Sequence, residues 1–213
     1  MKIQTSFILT VLFIYFSACT SDVADPGICF REDILPIFIS NCAMSGCHES
    51  SKNGEHERMD LTSYEGIIQG VKPGHPLRSK VYTYVKGISA SMPPGPASKL
   101  SSKDIKYLKI WINKGAPNSS NCITCDTSNY SFKGKIQPVF NSWCVGCHNT
   151  GNAGGGYDFS SYSVLANKVT LKNFLGALEH IPGYSPMPKS SGKLPDCDLL
   201  AIKKWLSAGN PDN

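Results

Sequence analysis

The chain repeats itself. Ile34-Leu35-Pro36-Ile37-Phe38 returns roughly 100 residues later as Ile136-Gln137-Pro138-Val139-Phe140. In the same order, Cys47-His48 returns as Cys147-His148 and Asp60-Leu61-Thr62-Ser63-Tyr64 as Asp158-Phe159-Ser160-Ser161-Tyr162. Ser91-Met92-Pro93 returns as Pro186-Met187-Pro188, and Trp111-Ile112 with Gly115 returns as Trp205-Leu206 with Gly209. The repeats divide the chain into one unit over 27–118 and a second over 129–213, joined by a linker over 119–128 rich in Asn, Ser and Thr. A unit shorter than about 100 residues builds only a thin core from protein alone, which leaves room for a large buried cofactor.

Each unit reads as helical, so the expected class is mainly α. Ser101 and Asp104 form a capping-box-like start, followed by Ile105, Leu108, Trp111 and Ile112 at helical spacing and Gly115 as a stop. Leu199, Ile202, Trp205, Leu206 and Gly209 copy that pattern. Leu77, Val81 and Tyr84 predict a shorter helix before Met92, and Leu171, Phe174, Leu175 and Leu178 predict one before Met187. Helices are also expected to begin at Ile34 and Ile136 and to run toward the Cys-His pairs. Strand signals are few, and Gly154-Gly155-Gly156 reads as a loop.

Residues 1–18 carry a short basic start at Lys2 and an apolar run from Phe7 to Phe16, too short to span a bilayer. Ser17-Ala18-Cys19 follows, so the segment is similar to a lipoprotein signal with Cys19 as the acylated N-terminus and 19–26 as a tether. An ordinary secretory signal cut near Ala18 is the alternative. Either way the expectation is an exported protein, lipid-anchored in the cell envelope on the periplasmic side or at the outer membrane. The net charge is +5 with no Lys/Arg cluster to track a phosphate backbone, so no nucleic-acid partner is expected.

The chemistry lies in the nine cysteines. Cys144-Val145-Gly146-Cys147-His148 is C-x-x-C-H, the attachment pattern for c-type haem. Residues three apart share a face of a helical turn, so both thiols reach one ring, and the next residue is rotated to aim an imidazole at its metal. Zinc would need four convergent ligands, and no second C-x-x-C-with-His set exists to complete such a site. In the first unit Cys42-Ala43-Met44-Ser45-Gly46-Cys47-His48 is C-x4-C-H, whose two extra residues must loop outward. His48 and His148 are the expected proximal iron ligands. Met92 and Met187, each fixed by a following proline, are the expected sixth ligands. Rivals are His180 in the second unit and His56, His75, Met44 or Met59 in the first.

Each unit resembles a class I-type cytochrome c domain, and more closely the lipoprotein-borne cytochrome c domains of Bacteroidetes and Planctomycetes. Ile34-Leu35-Pro36-Ile37-Phe38, Met92-Pro93-Pro94 and Trp111-Ile112-Asn113-Lys114-Gly115-Ala116 carry the closer likeness. The resemblance implies two tandem small helical domains, each wrapped around a haem attached through Cys42 and Cys47 or through Cys144 and Cys147. Four cysteines remain and allow three pairings. In the resembled fold the first and last helices of a domain pack together, which implies Cys29–Cys122 and Cys125–Cys197 over a local Cys122–Cys125 bridge. The implied function is one-electron transfer between redox partner proteins of the cell envelope, without enzymatic turnover. A di-haem peroxidase-type enzyme and a non-catalytic haem docking or sensor module are the alternatives.

Overall fold

A computed structural model of the chain describes residues 27–44, 46–49, 59–95, 97–120, 122, 125–126, 128–168 and 171–213. The expected signal segment, the tether with Cys19, Ser45 and His56 lie outside the described residues. The fold is mainly helical. A π-helical turn, Phe30–Ile34, leads into α1 (Leu35–Asn41). Then come α2 (Tyr64–Ile68), a 3-10 turn at Pro76–Arg78, α3 (Lys80–Thr83) and α4 (Ser102–Asn113). The second unit opens with the same π-helical turn, Phe132–Ile136, running into α5 (Gln137–Trp143). A two-residue antiparallel pair follows, β1 (His148–Asn149) with β2 (Asn152–Ala153), then a 3-10 turn at Gly154–Gly156. The chain ends in α6 (Tyr162–Lys168), α7 (Leu171–Leu178) and α8 (Asp196–Ser207).

Local sequence explains most of these boundaries. The Ser101 hydroxyl accepts the Asp104 N–H at 3.1 Å and starts α4, and Gly115, at φ 89°, ends it in the left-handed region. Pro36 and Pro138 sit in the first turns of α1 and α5, where a missing N–H costs nothing. One expected helix is broken. The segment around Leu77, Val81 and Tyr84 forms a 3-10 turn and a single α turn instead. Its apolar residues do not share a face: Val81 is buried, while Leu77 and Tyr84 are 68% and 50% exposed. Ser79, fully buried at the break, accepts the Lys72 N–H at 2.8 Å and donates to the His75 carbonyl at 3.0 Å, fastening the chain into a turn there.

The apolar side chains gather into two clusters. The first holds Ile34, Ile37, Phe38, Leu108, Trp111 and Ile112; the second holds Ile136, Val139, Phe140, Leu165, Ile202 and Trp205. Bonds in one cluster recur at matching positions in the other. Trp111 donates its indole N–H to the Pro117 carbonyl at 3.0 Å, and Trp205 donates to that of Pro211 at 2.9 Å. Tyr64 donates to the Ala116 carbonyl at 2.9 Å, and Tyr162 to that of Asn210 at 2.8 Å. Phe30 meets Tyr64 edge-on at 5.1 Å, and Phe132 meets Tyr162 at 4.9 Å.

The two clusters touch through α1. Ile37 and Phe38 belong to the first, while Ile39, 5% exposed, belongs to the second. Those positions fall on two faces of one helix, so α1 packs on both sides. Two disulfides, Cys29–Cys122 with Cα atoms 5.7 Å apart and Cys125–Cys197 with Cα atoms 5.4 Å apart, tie the start of each unit toward its last helix. Cross-links across 93 and 72 residues each remove on the order of 4 kcal/mol of unfolded-chain entropy in the loop-closure account.

Leu108, fully buried between α4 and the first cluster, and Leu200, 38% exposed on α8, offer a direct test of this packing. Leu108→Ala should cost about 2–5 kcal/mol of unfolding free energy, and Leu200→Ala about 0.5 kcal/mol or less, both read by denaturant titration.

Candidate functional site

The first Cys-His segment leaves the end of α1. The Cys42 and Ala43 N–H groups both donate to the Phe38 carbonyl at 2.9 Å, ending the helix. The chain then loops out through Gly46, at φ 78°, and returns so that the His48 N–H donates to the Cys42 carbonyl at 3.1 Å. In the second unit the Cys144 and Val145 N–H groups donate to the Phe140 carbonyl, and the His148 N–H donates to the Cys144 carbonyl at 2.9 Å. Despite the different spacing, each histidine closes on the first cysteine of its own motif.

The first unit surrounds an apolar cavity of about 270 Å³. Cys42, Cys47, His48 and Met92 line it, with Phe38, Leu61, Val81 and Val85 as the apolar wall. His48 is held by its Nδ1, 3.0 Å from the Met59 carbonyl oxygen. A carbonyl there selects the Nδ1–H tautomer and leaves Nε2 with a free lone pair, the arrangement that prepares an imidazole to ligate a metal. The Met92 N–H donates to the Tyr84 carbonyl at 3.0 Å, and Lys99 Nζ donates to the Ala90 and Pro93 carbonyls at 2.9 and 2.6 Å, pinning the loop that carries this thioether.

Met44 and Met59 also line this cavity. The Met59 thioether is packed against Gly70, so closely that a Cβ on Gly70 would overlap it. It therefore serves as wall, while the Met59 carbonyl serves as the histidine anchor. His75 is exposed in the turn before Pro76 and does not line the cavity.

In the second unit Cys144 is buried in the core cluster and Met187 packs against it. The His148 ring lies 5.0 Å from that of Phe159, with Nδ1 3.3 Å from the Tyr157 carbonyl oxygen. Phe140, Phe159 and Phe174 form an aromatic wall at centroid distances of 5.5–5.9 Å. The Met187 N–H donates to the Ala177 carbonyl at 3.0 Å, matching the bond at Met92. His180 places Nε2 3.1 Å from the Met187 carbonyl oxygen. It is thereby bound to the backbone of the methionine it rivals, a support that the sequence did not signal.

Burial, followed by the neighbouring thiol of the same motif, pushes the Cys42 and Cys144 thiols up to about 12. Burial also raises the Cys147 thiol, with smaller upward pushes from Glu49 and Cys47 and a downward pull from Lys189. Among the described residues, the group of three donors close enough for one metal ion is Cys29, Glu32 and Cys122, and two of these are disulfide sulfurs. The four remaining cysteines and the two anchored histidines do not form a compact zinc site there. A second cavity, about 430 Å³, lies between α1, α4 and α5 and is lined by Glu32, Asp33, Lys103 and Asp104, with no thiol, imidazole or thioether. Among the described residues no helix is long and apolar enough to cross a membrane. No family of known proteins matches the chain, and neither a curated protein nor a solved structure matches it.

The raised thiols give a pH test on the free-thiol chain. An ordinary thiol ionises near pH 8.5, so above about pH 8.5 the unfolded chain sheds protons that the folded chain keeps on Cys42 and Cys144. The stability these neutral thiols contribute is complete below that pH and is lost as pH rises toward about 12. The denaturation midpoint should fall between about pH 8 and pH 10.5, and the Cys42→Ser/Cys144→Ser variant should flatten that fall.

Proposed function

We propose that this chain is a di-haem c-type cytochrome that carries electrons one at a time between partners in the cell envelope. The observation that carries the reading is the donor set around the first cavity. Two thiols, an imidazole tethered at its far nitrogen and a loop-borne thioether border one apolar space. A c-type haem would use that set: two thiols for covalent attachment, and an imidazole and a thioether to hold its iron. Cys42, Cys47, His48 and Met92 would hold the first haem, and Cys144, Cys147, His148 and Met187 the second. When bound, haem supplies a reversible one-electron couple, and methionine ligation raises its potential relative to a second histidine.

The protein's part is to hold and shield. The Met59 and Tyr157 carbonyls orient the two imidazoles. Phe38, Leu61 and Val85 exclude water from the first site, and Phe140, Phe159 and Phe174 do so at the second. Lys99 and His180 fix the two methionine loops. If His48 and Met92 held one iron and His148 and Met187 the other, neither would keep an open position for a substrate, which favours a carrier over an enzyme.

In this reading 27–118 and 129–213 are two cytochrome c-like domains, each wrapped around its haem. The chain is exported and anchored through an acylated Cys19, as the apolar run before it suggests. The two disulfides suit an oxidising compartment.

Protein matured with a cytochrome c assembly system should gain the mass of two haems, and Cys144→Ala/Cys147→Ala should lose one. The oxidised protein should be low-spin with a far-red sulfur-to-iron band and should bind carbon monoxide poorly when reduced. Met187→Ala and Met92→Ala should each open one site to carbon monoxide and lower that site's potential. A high-spin site in the wild type, or rapid peroxide turnover, would overturn the carrier reading in favour of a peroxidase-type enzyme.

A further inference from the structure

The two attachment segments touch each other. α1 and α5 pack together near the ends from which the two Cys-His motifs emerge. Ser40, two residues before Cys42, donates its hydroxyl to the carbonyl of Ser142, two residues before Cys144. Gly146 lies inside the second motif, between Cys144 and Cys147, and a Cβ built there would overlap the Ser40 carbonyl oxygen. The obstacle is backbone, so no side-chain rotation could relieve it. The contact is held from both sides. Ile39 is buried in the second cluster and Ala43 packs against it, while Arg31 donates to the Lys193 carbonyl at 2.9 Å. Independent beads on the 119–128 linker would share none of these contacts.

We propose that this joint makes the two redox sites one coupled pair, exchanging electrons directly within the chain, and that Gly146 is the residue that permits the approach. The inference rests on the di-haem reading above. In each exchange one site is oxidised as the other is reduced, so no external oxidant or reductant is consumed. The chain then works as a two-site relay: an electron accepted at one unit can leave from the other. A change of charge at one site is also felt at its neighbour, across a short path through protein of low dielectric.

The experiment uses the mature two-haem protein and compares electron paramagnetic resonance of the oxidised form with the sum of two single-haem variants, Cys42→Ala/Cys47→Ala and Cys144→Ala/Cys147→Ala. Coupling predicts extra broadening and faster spin relaxation in the wild type, beyond that sum. Gly146→Val should remove that excess while the mass still shows two haems, and Gly146→Ala should reduce it. A wild-type spectrum equal to the sum overturns the proposal and leaves the carrier reading intact, as does an excess that survives Gly146→Val in full. Fewer than two haems by mass overturns the di-haem reading itself and the coupled pair with it. If Gly146→Val does not fold, the wild-type comparison and Gly146→Ala decide.

Discussion

Each half of the molecule depends on a buried tryptophan. Trp111 and Trp205 are fully excluded from solvent, and each indole donates its N–H to the carbonyl of the proline six residues on. A buried indole N–H without a partner would cost about 1–3 kcal/mol, so the chain after the last helix is obliged to turn back and supply one. That return brings the tail onto the first helical turn: Arg31 N–H donates to the Ser119 carbonyl and Lys133 N–H to that of Asn213. Phe30 and Phe132 then lie tilted beside the indoles at centroid distances of 5.5 and 5.7 Å. Once the first turn is fixed on the last helix, α1 and α5 have one path to follow, and each delivers a cysteine motif at its end.

The two halves keep this frame and vary what hangs on it. Leu61 and Phe159 occupy matching places, and each donates its N–H to the carbonyl of the histidine, at 3.0 and 2.8 Å. The second wall is aromatic where the first is aliphatic. The loops bearing Met92 and Met187 are held by different means, a lysine ammonium in one and an imidazole in the other. A cation beside Met92 and an imidazole beside Met187 give the two sites different electrostatic surroundings.

Much of the fold was legible because it rests on local rules. The start of α4 at Ser101, its stop at Gly115 and the prolines opening α1 and α5 follow from the backbone groups that a helix end leaves unpaired. The segment from Leu77 to Tyr84 was misleading for the same reason in reverse. Its apolar spacing suited a helix, but buried Ser79 offers the backbone better partners than a helical ladder would, and the apolar side chains end on different faces. The candidate ligands were readable as residue types at fixed spacing. Packing adds what spacing does not show: it sets the Met59 thioether against Gly70 and ties His180 to the Met187 carbonyl.

By itself the sequence determined the duplicated plan, the helical character and the spacing of the cysteine-histidine motifs, since each is written in residues a few positions apart. Tertiary structure decided which donors share one cavity and what holds them. The anchors of His48 and His148 are the backbone carbonyls of Met59 and Tyr157, and a carbonyl is present at every residue, so no side-chain signature could have pointed to them. The joint between the units is of the same kind. Gly146 reads in sequence as a spacer in a motif, and its need to be glycine arises only because folding brings the Ser40 backbone, from the other half of the chain, against it.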